Sequence, residues 1–185
     1  MTHSIISAAL LSALLCACAM TPDTGAAPAN VREDLRRALA LARLTAVDPA
    51  IESVAVLTPA DPRDGSAALI AAAPTLWNPL DGATGSIAIK GSPTGSPYDG
   101  GHAGLSFNAK AGITYLAHCR LELPGGSWDY DYGGVASGHG KVQPGSAELS
   151  MPSNKIPANG RAELAFASRQ TGHKLFGCTL YGLRI

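Results

Sequence analysis

Four histidines follow the first twenty residues, at His102, His118, His139 and His173. None is spaced from another as ligands on one helix or strand would be. His102, His139 and His173 each neighbour a glycine, so loops could gather them, with Asp99, around a metal. The simpler expectation is exposed histidines in turns, with no metal and no cofactor. His118 is expected on the polar face of a strand, away from the core. A triad of a histidine, Asp129 or Asp131, and a serine would be defined only in space, so the chain leaves it open. No G-x-S-x-G, S-x-x-K, H-E-x-x-H or G-x-G-x-x-G occurs. Gly140-Lys141 is followed by Val142, which is not a phosphate loop.

The most unusual segment is 125–134, GGSWDYDYGG. It concentrates Trp128, Tyr130 and Tyr132 in five positions, alternating with Asp129 and Asp131. In an extended chain the three rings share one face and the two carboxylates the other. Rings with a polar handle make contact surfaces for sugars, peptides or partner proteins. These five residues are therefore the candidate binding site, with the rings as platform and the aspartates setting polarity. The blander reading is a hairpin whose rings cover an edge of the core. Asp-x-Asp alone is a poor calcium site, because that ion takes six or more oxygens.

The leader MTHSIISAALLSALLCACAM is almost unbroken in small or apolar side chains from Ile5 to Ala19. Such a run is short for a bilayer span but fits the apolar region of a secretory signal. Ala17-Cys18-Ala19 would suit an ordinary signal peptidase. Leu15-Cys16-Ala17-Cys18 resembles the lipobox of bacterial lipoproteins. The resemblance covers four residues and implies a signal peptide over 1–17 and a diacylglycerol thioether on Cys18; residues 18–29, small, Pro-bearing and nearly uncharged, read as a tether. It also implies attachment to the membrane through that lipid, at the bacterial envelope. Ala19 is not the aspartate that resembles an inner-membrane retention signal, so the outer membrane, facing the periplasm, is the expected address. Plain secretion is the alternative. Export agrees with the cysteines: beyond the leader only Cys119 and Cys178 remain, in strand-like segments, and an oxidising compartment would join them.

The elements that must position these residues are mostly strands. Asn30-Val-Arg-Glu33 matches a capping box, and Val31, Leu35, Ala38, Leu39, Ala42 and Ala46 recur at helical spacing until Pro49. Leu41 and Leu44 fall off that stripe, which would suit a helix buried on more than one side. Residues 30–81 are expected to hold this helix, first strands and turns; 82–185 form the body, and 30–185 make one domain. Ile113, Tyr115, Ala117, Cys119 and Leu121 alternate with Thr114, His118, Arg120 and Glu122. Ala147, Leu149 and Met151 alternate similarly, as do Ala162, Leu164 and Phe166. Residues 175–185 are apolar on both faces and read as a central or sandwich-core strand. Strands divided by Gly/Pro/Asn turns, with no strand–helix–strand rhythm, predict a mainly β fold, an antiparallel β-sandwich with a short N-terminal helical segment.

Lys+Arg and Asp+Glu are equal at 14 each, which excludes nucleic-acid binding driven by a basic surface. Composition and missing catalytic spacings point to a binding or structural role, with an envelope protein or a glycan as partner. The alternative is a secreted hydrolase whose His/Asp site assembles in space. A third possibility is an assembly subunit that pairs through an open sheet edge.

Overall fold

The computed structural model describes residues 29–44, 49–59, 68–72, 78–88, 102–122, 127–142, 148–168 and 174–185. The leader, Cys18, most of the tether, Ala46, Asp99, Ala147 and His173 lie outside the described residues. One helix, α1 (Ala29–Leu41), precedes ten strands: β1 (Ala50–Pro59), β2 (Ala68–Ala72), β3 (Thr84–Ala88), β4 (His102–Ala109), β5 (Thr114–Glu122), β6 (Trp128–Gly134), β7 (His139–Val142), β8 (Glu148–Lys155), β9 (Gly160–Ser168) and β10 (Lys174–Arg184).

Every pairing between these strands is antiparallel. The ladder runs β7-β6-β9-β4-β3-β2-β1-β10-β5-β8. Its slimmest joint is β2–β3, where only Ala68↔Ser86 and Leu69↔Gly85 pair. There the ladder turns over, so β7-β6-β9-β4-β3 faces β2-β1-β10-β5-β8 as the two layers of a sandwich. Gly85 permits the close approach, because a Cβ there would stand 2.7 Å from Leu69 Cδ1 and 2.8 Å from Leu105 Cδ2. The expected antiparallel β-sandwich is the observed fold.

Alternation feeds the core from both layers. Leu105, Phe107, Leu164 and Phe166 meet Leu57, Tyr115, Leu121, Met151 and Leu180 in one buried cluster. The Phe107 and Tyr115 rings lie 4.6 Å apart between centroids, across the sandwich. Tyr132 Oη of β6 donates to the Met151 carbonyl of β8 at 2.8 Å, which ties the layers near their edges. Cys119 and Cys178 are directly paired in the β5–β10 register and joined by a disulfide, as the sequence led us to expect.

The two-faced apolarity of β10 has a direct cause. Cys178 and Leu180 face the sandwich core. Tyr181 and Leu183 face outward with Val54 and Leu116, and Leu35 and Ala38 of α1 cover them. The helical stripe therefore packs as predicted, but the helix is shorter than its pattern. It ends at Leu41 rather than at Pro49. Arg43 takes the left-handed conformation (φ 56°). Its N–H bonds the Ala40 carbonyl at 3.1 Å, and Leu44 N–H reaches the Leu39 carbonyl at 3.0 Å. This is the Schellman stop, which satisfies the last carbonyls without proline. Leu41 is exposed, so α1 buries one side only.

Candidate functional site

The outer face of β7-β6-β9-β4-β3 carries no helix among the described residues and holds a groove of about 860 Å³. Its floor is low because the side chains there are small: Gly104 from β4, Ala165 and Ala167 from β9. Its walls are polar. Asp129 and Asp131 rise from β6, His139 and Lys141 from β7, and Ser86 stands across the floor on β3. Strand alternation places them together, since Asp131 pairs with His139 and Asp129 with Lys141 across β6–β7. Lys141 Nζ lies 3.7 Å from Asp129 Oδ1. A groove of this size is within the range of small-molecule sites.

The rings and carboxylates of β6 divide between two faces as expected, but the faces are reversed in role. Trp128 and Tyr132 are 3% and 4% exposed, so they are core rather than platform. The Trp128 ring packs on Phe166 at 5.7 Å, and Tyr130 meets Tyr132 edge-on at 6.2 Å. Tyr130 is half-buried and packs against the same core. Its ring lies over Gly140, where a Cβ would come 2.7 Å from Cε1. Burial raises the Tyr130 phenol pKa, and raises that of Tyr132 further. The expectation of a three-ring contact surface is thus corrected for Trp128 and Tyr132, which the sandwich interior takes up, while Tyr130 stays in the lining of the groove. The aspartates, with β7, make the exposed surface.

His139 lines the groove, and the His102 backbone pairs with Ala167 beside it. No group of three His, Cys, Asp or Glu side chains is arranged to hold a metal ion among the described residues.

His118 takes the expected face of β5 but is not exposed there. It does face away from the sandwich core, yet it is 2% exposed, because α1 lies over it. Its Nδ1 is 3.1 Å from Asp34 Oδ2 of α1, and its Nε2 is 3.6 Å from Glu148 Oε2 of β8. Tyr181 Oη donates to Asp34 Oδ2, and Arg37 lies 3.6 Å from Asp34 and 3.7 Å from Glu148. Ser150 Oγ donates to the Ala38 carbonyl at 2.6 Å. Burial of the Asp34 carboxyl works to raise its pKa. The hydrogen bonds from His118 and Tyr181, with the His118 and Arg37 charges, outweigh it and hold the pKa below 3.8. Burial and the Asp34 carboxylate both raise the Tyr181 phenol, which stays protonated as a donor.

A His/Asp neighbourhood therefore exists in the fold, but it clasps a helix to a sheet. Sequence reasoning missed it because its members come from α1, β5, β8 and β10. The one trace was Leu116, an apolar residue on the supposedly polar face of β5.

No protein-family model matches the chain, and no curated protein matches it. Among solved structures it is similar to the C-terminal carbohydrate-binding module (CBM6) of LamC, a laminarinase of the marine Zobellia galactanivorans. That match has 12% identity and a TM-score of 0.35, covering 69% of this chain and 98% of that one. It is also similar to a carbohydrate-binding module of Cellvibrio mixtus lichenase 5A, solved with cellotriose. Here identity is 13% and the TM-score 0.31, over 71% of this chain and 98% of that one. Such scores assign no role, and the fold assignment stands on the strand ladder itself.

Proposed function

We propose that this domain is a non-catalytic binding module that takes a glycan in the groove of the β7-β6-β9-β4-β3 layer, and that a lipid on Cys18 holds it at the bacterial envelope. The observation that carries the binding reading is the groove itself, a floor of Gly104, Ala165 and Ala167 between polar walls. Sugar hydroxyls both donate and accept. Asp129 and Asp131 accept, Lys141 donates, and Ser86 does both. The small floor lets the apolar face of a pyranose ring approach the sheet.

The same geometry keeps Ser86 out of a triad with Asp131 and His139. Ser86 on β3 stands three strand spacings from Asp131 on β6, about 14 Å, and further still from His139. A triad needs neighbours within hydrogen-bond reach. The lipid reading rests on Leu15-Cys16-Ala17-Cys18 alone.

A panel of soluble and insoluble polysaccharides tests the glycan reading. The chain should be retained by at least one of them. The groove-filling Ala165→Trp should lose that retention at unchanged melting temperature. No retention, or equal retention by the filled variant, would overturn it.

A further inference from the structure

We infer that the groove selects a glycan bearing free amino groups, with a sugar ammonium seated on Asp131, an inference that rests on the glycan reading above. Charge distribution along β6 carries it. Asp129 and Asp131 both project into the groove. They are not equivalent. Asp129 has a resident cation, Lys141, at 3.7 Å. Asp131 is exposed, and no ion pair engages it among the described residues. Its cross-strand partner is His139, and its neighbour on β9 is Ala165. Glu163 is exposed one alternation further along β9, opposite Gly133, and adds a second negative charge towards that end. The cation nearest to it on β9, Arg161, bonds the Gly82 carbonyl and Asn108 instead.

Among the described residues, the groove therefore has a lysine at its Asp129 end and, at its Asp131 end, carboxylates faced across the ladder only by His139. A neutral sugar over Asp131 must strip water from a carboxylate and return only a hydroxyl. An ammonium returns a charge-assisted hydrogen bond, which is about twice as strong. The floor of Ala165 and Ala167 offers no competing donor side chain. The chemistry that fits is a hydroxyl-rich chain with spaced primary amines, as in an oligomer of glucosamine. A basic peptide would satisfy the charge, but it would leave the hydroxyl-suited groups Ser86 and the Asp129–Lys141 pair without partners.

The test is calorimetric titration of the chain with a glucosamine oligosaccharide and with its fully N-acetylated counterpart, in near-neutral buffer at low and high salt. The free-amine chain should bind about tenfold tighter, with the advantage shrinking in salt. Asp131→Asn should bring the two affinities together, and Asp129→Asn should not. Equal affinities for the wild-type chain, or an amine preference that survives Asp131→Asn, would overturn the inference. If only a different, neutral glycan binds, the inference falls and the glycan reading stands. If a lysine-rich peptide binds and no glycan does, both fall.

Discussion

The phenol of Tyr181 hydrogen-bonds the Asp34 carboxylate at 2.5 Å, joining residues 147 positions apart. With His118 and Arg37 on the same carboxylate, this bond fastens α1 to the outer face of β10 and β5. The helix covers an apolar strip that would otherwise lie open on that layer, while the opposite layer keeps its groove.

Acid should loosen that fastening. The folded-state pKa of Asp34 is depressed, so its contribution is present above the ordinary value of 3.8 and is lost as pH falls through the folded value. Thermal melts on lowering the pH below 3.8 should show wild-type stability falling more steeply than that of Asp34→Asn. Parallel curves would remove Asp34 from the acid response.

Truncation should hurt far more than at an exposed pair. Asp34→Ala leaves buried His118 and Tyr181 without their acceptor and should cost about 2–3 kcal/mol in urea unfolding. Arg36→Ala breaks an exposed pair with Glu33 and should change stability by less than about 0.5 kcal/mol.

The Cys119–Cys178 bond closes a segment of 59 positions. In the chain-entropy account such a loop stabilises by about 4 kcal/mol. Cys119→Ala/Cys178→Ala should lower the urea midpoint accordingly, and reductant should have no further effect on that double variant.

Trp128→Ala and Tyr132→Ala should each destabilise by about 3–5 kcal/mol, the cost of emptying a buried aromatic site. Tyr130→Ala, half-buried, should cost less and leave a folded chain. If all three variants kept wild-type midpoints, the rings would not be core.

Lipid attachment has a mass signature. Intact protein from the membrane fraction should begin at Cys18 and carry acyl chains, and Cys18→Ser should carry no acyl mass. An unmodified Cys18 on wild-type protein would end that reading.

The strand faces of 113–121 and 162–166, the central position of 175–185, the Cys119–Cys178 pair and the stripe of α1 were legible because period-two and period-3.6 patterns report burial locally. The short strand β7 was not: its four residues, His139 to Val142, carry no apolar alternation, and its pairing with β6 creates it. The helix stop was hidden for a related reason, since Arg43 adopts a left-handed turn that composition does not advertise.

Sequence alone could divide the rings of β6 from its aspartates, because alternation is a property of the extended backbone. It could not say which face would be interior, because that depends on the layer packed opposite. Only the tertiary fold turned Trp128 and Tyr132 inward and left Asp129 and Asp131 beside His139 and Lys141. It alone brought Asp34, His118, Glu148 and Tyr181 together beneath a helix. Contacts between residues far apart in the chain follow from how the layers fold over one another, and no local pattern encodes them.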